Sequence, residues 1–298
     1  MKIVIVGKTG AGARTLADAL EKADGLKVLK SCTTRQPRSK DDMERYHFLT
    51  EKEADQIAVK HLYTEIGETK YFSKEEDVNA ADILVVDPDG LMDITALLPD
   101  ESIYLIYCHV DPGNEVAVAK MEAGINETIE TSDEPDVTRK QIEDKRYQEH
   151  QRFENLEEML YSTGKNPDAP NLPPQRKIFI DERYHHKVIA IYDFANDFEH
   201  DTLQAAAMHI AAWARQFRNV RTIVEQCVAL EVFSSPEPGR IAALDNISGE
   251  PVTKTLDETV TSILNVPETF NQILRVWLTH HLDLRLPPQR APEVVAAV

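Results

Sequence analysis

Short apolar runs recur along the chain, and between them apolar positions space out as they do on helices. KIVIV (2–6) is a continuous apolar run closed by glycine, the pattern of a strand buried in a parallel sheet. Residues 15–24 then carry helical spacing, and LKVLK (26–30) reads as a second strand. Residues 51–60 read as helix, and 61–73 alternate in the manner of small strands or hairpins. ADILVVDPDG (81–90) and SIYLIYCHV (102–110) are two further buried strands that run into turn residues. A long polar helix with many internal charge pairs is predicted over 134–164. NPDAPNLPPQR (166–176) is a proline-rich connection, KVIAIYDF (187–194) a last sheet strand, and DTLQAAAMHIAAWARQF (201–217) an alanine-rich closing helix.

Strands alternating with helices predict an α/β domain whose parallel sheet presents a site at its strands' C-terminal edge. We expect that domain to span residues 1–218, with a mostly helical C-terminal extension over 219–298. In the extension a Pro/Gly break at SSPEPGR precedes a helix at 267–282, where Trp277, His280 and His281 suit a packed helix end. That apolar helix offers a route to self-association. No internal repeat is visible.

Charge changes the picture of partners. The formal net charge of -18 argues against nonspecific DNA or RNA binding, which relies on basic surface. It leaves room for one nucleotide, held by a local cluster of cations. MKIVIVG is too short for a signal peptide, and no apolar run reaches the about 18 residues of a membrane span, so a cytoplasmic location without membrane contact is expected. Cys32, Cys108 and Cys227 are too few and too scattered for a disulfide framework or a zinc set.

The turn after KIVIV reads GKTGAGART. Gly7 and Gly12, with Gly10 between them, keep the glycine spacing of a phosphate-binding loop, G-x-x-x-x-G-K-[ST]. Such glycines let backbone N–H groups converge on phosphate oxygens, and the following helix adds its dipole. Ala13 and Arg14 stand at the K-[ST] positions, so the amine for the β- and γ-phosphates and the hydroxyl for Mg²⁺ are both missing. Lys8 and Arg14 are candidates to replace the charge, though a guanidinium is no geometric copy of lysine. Thr15 replaces the hydroxyl only if the turn shifts by one residue. A tight strand-to-helix turn without nucleotide is the competing reading of these residues.

Ser31-Cys32-Thr33-Thr34-Arg35-Gln36-Pro37-Arg38 places two arginines three apart around a proline, after small hydroxyl residues. This makes a rigid anion clamp suited to the dianionic phosphate of a nucleoside monophosphate, with Tyr46 and Tyr71 as hydroxyl partners. The competing reading is a basic solvated loop.

SCTTRQPR followed by RYHF (45–48) resembles the S-x-T-T-R-x-P-R and D-Y-x-F elements of the guanylate kinase family. The resemblance covers roughly residues 1–212. It implies a P-loop kinase-like parallel sheet flanked by helices, with a small subdomain that binds the nucleoside monophosphate. Ser31, Arg35, Arg38 and Tyr46 would hold the GMP phosphate. Asp41 would accept from guanine, with Asp42 the alternative because the spacing to Tyr46 is one residue short. KYFS (70–73) resembles Y-Y-G-[ST], which puts Tyr71 on the phosphate and Ser73 near the base, with Phe72 where the family has glycine. The family's second acid aligns with Leu62, and Glu65 reaches inward only with a local register change. ILVVDPDG (83–90) resembles the strand ending D-x-D-x-x-G: Asp87 and Gly90 match, and Val85 replaces the first acid. Asp87 is then a candidate Mg²⁺ residue beside Thr15, or simply a strand cap. The lid arginines are replaced by KMEAGINETIE (120–130), which is acidic. Of Arg139 and Arg146 on the next helix, Arg146 is the candidate for the phosphates. The alternative is a surface ion pair with Glu143 or Glu149.

The activity so implied is phosphoryl transfer from ATP, with Mg²⁺, to a nucleoside monophosphate, GMP or dGMP, with Lys8, Arg14 and Arg146 in catalytic roles. Every loss falls on the ATP side, whereas the monophosphate side is well kept. That asymmetry supports an alternative: a catalytically inactive domain that binds a nucleotide or a protein partner.

Overall fold

A computed structural model describes residues 1–37, 42–66, 68–98, 101–160, 188–229, 240–244 and 251–265. The chain divides into two compact units, Met1–Trp213 and Ala214–Val298.

The first unit is built on a four-stranded parallel sheet. β1 (Lys2–Gly7) lies between β6 (Ile83–Val86) and β7 (Ile103–His109), and β8 (Val188–Ala195) pairs with β7 at the far edge. Burial on both faces explains why these strands read as continuous apolar runs. On one face Val4, Val6, Leu84, Leu105 and Tyr107 pack with Leu91 and Ile94 of α5 (Pro88–Leu97) and with Phe153 and Leu156 of α7 (Pro135–Leu160). On the other, Ile3 and Ile5 are equally buried, and α1 (Ala13–Asp24) packs against β1 and β6. Between β7 and α7 stands α6 (Glu115–Glu130).

Lys2 is a buried charge with a use. Its ammonium donates to the carbonyls of Val78, Asn79 and Ala81 at 3.3, 2.7 and 2.5 Å, closing the C-terminus of α4 (Glu75–Ala80). Lys2→Met keeps the apolar stem and orphans those carbonyls, so a loss of about 1–3 kcal/mol is expected in urea unfolding.

A second sheet orders its strands β3-β2-β5-β4. β2 (Ser31–Thr33) runs parallel to β3 (Tyr46–Phe48) and antiparallel to β5 (Thr69–Ser73), which forms a hairpin with β4 (His61–Ile66). α2 (Asp42–Arg45) leads into β3, and α3 (Glu51–Gln56) follows it, started by a Thr50–Glu53 capping box. Phe72, at the position where the family has glycine, fills the core of this sheet with Cys32 and Ala54.

Several expectations are corrected. LKVLK (26–30) is no strand of the main sheet: Val28 alone bridges Ile83, and the chain then leaves to build β2. Leu26 and Leu29 are buried as anchors, which produced the strand-like pattern. The helix at 51–60 stops at Gln56. The alanine-rich helix does not end at 217 but runs on as α8 (His200–Ala229). α5 and α6 go beyond the sequence expectation, and both are started by side-chain caps, Asp87 and Asn114.

In the second unit the last residues of α8 are followed by a hairpin of β9 (Arg240–Leu244) and β10 (Pro251–Thr255), then α9 (Leu256–Asn265). Arg221 pairs with Asp257 at 3.1 Å. Most of the described residues of this unit are helical, and the hairpin was not expected. The connection at 166–176 and the helix at 267–282 lie outside the described residues. Among the described residues no helix is long and apolar enough to cross a membrane.

Candidate functional site

The glycines of the first turn are required by its geometry. A Cβ at Gly7 would fall 2.6 Å from the Cys108 carbonyl oxygen, while Gly10 and Gly12 adopt φ of 87° and 91°. The Ala11 carbonyl accepts from Asn196 Nδ2 at 2.9 Å and from Cys108 Sγ at 3.1 Å, pinning the turn from beneath. Burial pushes the Cys108 thiol up to about 12, so it stays a neutral donor.

α7 reaches this turn at one residue, Thr9, while the rest of the turn lines an open cleft. Thr9 donates through both N–H and hydroxyl to the Glu149 carboxylate, each at 2.8 Å, and Glu149 is only 6% exposed. Lys145, one turn earlier, stands 3.6 Å from the same carboxylate. A Cβ at Gly10 would meet Ile125 at 2.8 Å and Met121 at 3.0 Å, so apolar side chains of α6 lie against the loop. Three residues beyond Glu149, Arg152 pairs with Asp87 and Asp89, both at 3.1 Å. Asp87 also accepts from Gly90 N at 2.8 Å as the cap of α5, and from Thr64 Oγ1 at 3.1 Å.

One face of α7 thus sets the Glu149 carboxylate on Thr9 and the Arg152 guanidinium on Asp87, so the Thr9 N–H and the Asp87 oxygens are bonded to protein groups as arranged. Thr15 is exposed on α1, and among the described residues no three His, Cys, Asp or Glu side chains are grouped to hold a metal ion. Lys8 turns its ammonium over the Phe153 ring, 5.7 Å from its centroid.

From the loop a cleft of about 530 Å³ runs to the second sheet, bounded by α6 and α7. Its far end is cationic. The Arg14 guanidinium lies 5.5 Å from the Tyr46 ring centroid, and that of Arg35 lies 4.8 Å from it and 5.3 Å from Phe48. Tyr71 meets Tyr46 edge-on at 6.4 Å. Burial would raise the Tyr46 phenol, but Arg14, Lys145 and Arg35 overcome it and hold the phenol below its ordinary value. In a chain of net charge -18, two guanidiniums over one ring, with Lys145 lining the same cleft, form a distinct cationic spot. Tyr46 should therefore ionise before ordinary tyrosines in an ultraviolet pH titration, identified by difference from Tyr46→Phe. Arg14→Ala should move that step to higher pH.

Most sequence-predicted residues meet in this cleft. Gly7, Lys8, Gly10, Gly12, Ala13, Arg14 and Thr15 line it from the loop, Ser31, Arg35, Tyr46 and Tyr71 from the second sheet, and Asp87 from the end of β6. Arg35 is gripped at both amines by Asp42, at 2.7 and 3.0 Å, so the alternative base-recognising acid is tied to the clamp itself. Ser73 is buried and bonded to Ser31 at 3.2 Å. Arg146 reaches Glu122 of α6 at 3.0 and 2.6 Å rather than the loop, so it takes the surface-pair reading with an unforeseen partner. The register shift near Leu62 exists, yet Glu65 stays exposed and accepts from Tyr63. Arg38 and Asp41 lie outside the described residues.

Glu149, Lys145 and Arg152 were not foreseen as site residues. Their spacing of four and three marks one helix face in the sequence, but not what that face meets.

No protein-family model matches the sequence, and no curated protein matches it. Among solved structures, this chain is similar to the crystal structure of guanylate kinase from Anaplasma phagocytophilum, at 17% identity and a TM-score of 0.29. The match covers 53% of this chain and 93% of that one.

Proposed function

We propose that this chain binds a nucleoside monophosphate, GMP or dGMP, at the Tyr46 end of the cleft, and transfers no phosphoryl group while α7 holds the loop. The guanidiniums of Arg14 and Arg35 over Tyr46, with Lys145 lining the same cleft, carry the reading. Charge-assisted bonds of this kind are worth about 1.5–3 kcal/mol each, and the groups are already in place before the ligand arrives. Leu62 and Ile66 add an apolar wall to the same cleft, suited to a base. The choice of guanine comes from the resemblance of SCTTRQPR and RYHF to guanylate kinases.

Phosphoryl transfer depends on positioned charge at the transferring group. Here the corresponding backbone donor faces a carboxylate, and the corresponding acid faces an arginine. The transferase reading needs both contacts broken.

Equilibrium dialysis with labelled GMP, competed by AMP and UMP, tests the proposal alongside an assay for GMP-dependent ADP release. Saturable GMP binding without ADP release is the expected result. ADP release would restore the kinase, and absence of GMP binding would remove the nucleotide reading altogether.

A further inference from the structure

The contacts of Glu149 differ in accessibility. Its bonds to Thr9 are part-buried on a 6%-exposed residue, whereas its countercharge, Lys145, is 44% exposed on the cleft. Lys145, 3.6 Å from Glu149, lines the same cleft as Tyr46, Arg14 and Arg35. The other anchor of the same helix face, Arg152 on Asp87 and Asp89, is a partly exposed pair of the kind that breaks readily.

We propose that Glu149 is a releasable plug of the phosphate loop and that Lys145 is its trigger. A phosphate monoester bound at Tyr46 draws Lys145 away from Glu149, and the loop opens. This rests on the reading that the Tyr46 end takes a monophosphate. A dianion attracts an ammonium about twice as strongly as a single carboxylate at equal distance. Once Lys145 has moved, Glu149 is left as a 6%-exposed carboxylate in a cleft walled by Met121 and Ile125, without its nearest cation. An uncompensated buried charge favours moving out to water. The consequence is an order of events: the monophosphate binds first, and the loop's N–H groups become available to a second anion only afterwards.

Amide hydrogen exchange of Thr9, read by NMR on the full chain, tests this. Without nucleotide the Thr9 amide, bonded to Glu149, should exchange slowly. Saturating GMP should speed it at least about tenfold, since opening free energy sets the rate. Glu149→Ala should give the fast rate without GMP, and Glu149→Gln, which keeps the side-chain volume, should shift in the same direction. In Lys145→Gln, which removes the countercharge for good, Thr9 should already exchange fast without GMP, and GMP should add no further change. The plug is overturned if Thr9 stays slow in both Glu149 variants. The trigger is overturned if calorimetry shows GMP bound to the unaltered chain while Thr9 exchange does not change. Failure of GMP to bind at all would instead strike the monophosphate reading and take the trigger with it, while the Glu149 variants would still decide the plug.

Discussion

Replacing Arg35 by alanine is expected to abolish measurable GMP binding and to cost about 3–5 kcal/mol of folding stability, the range for breaking a buried ion pair. The side chain is 4% exposed and its partner Asp42 14%, so removal strands a carboxylate in a poorly solvated place. The guanidinium also stacks near Tyr46 and Phe48 and donates to the Gln36 carbonyl, so packing and a turn are lost with the charge. Urea unfolding checks the first half and equilibrium dialysis the second. Arg35→Lys separates them: it keeps a cation but loses the fork that grips both Asp42 oxygens. Its stability should lie between those of the unaltered chain and the alanine variant.

Phe153→Ala is the second large effect. The ring is fully buried against the sheet face formed by Val4, Val6 and Tyr107, and it pins α7 one turn after Glu149. Truncating a buried aromatic typically costs about 3–5 kcal/mol. At about 2–4 °C per kcal/mol for a domain of this size, the melting temperature should fall by about 6–20 °C. The functional effect should run the other way from Arg35→Ala. With its anchor gone, α7 holds Glu149 less firmly, and the Thr9 amide should exchange faster even before global unfolding becomes detectable. Phe153→Leu, which keeps most of the volume, should be much milder in both respects.

Apolar runs such as KIVIV and SIYLIYCHV made the central strands legible, because strands buried on both faces need continuous hydrophobicity. The hairpin over 61–73 and the polar helix after residue 134 were legible for similar reasons of period. LKVLK misled because two buried leucines look alike in a strand and in an anchored loop. At the site, the glycine turn and the clamp segment could be read locally, since their chemistry lies within a few residues. What occupies the loop could not. Thr9 and Glu149 are 140 positions apart, and only the packing of α7 on the sheet, through Phe153 and Leu156, brings them together. The same holds for Arg152 on Asp87, 65 positions away. Arg14 reads as a loss when compared with a phosphate-loop serine or threonine; in the fold it is a gain for the opposite end of the cleft, because it turns onto Tyr46.

On the proposed reading the cleft takes a phosphate at Tyr46 while Glu149 holds the loop at Thr9. Calorimetric titration of the unaltered protein with GMP and with Mg²⁺–ATP, separately, tests it most directly. Saturable heat with GMP and none with Mg²⁺–ATP is the expected result. Tight binding of Mg²⁺–ATP in the absence of GMP would contradict it, because the loop would then have to be open where Glu149 is assigned.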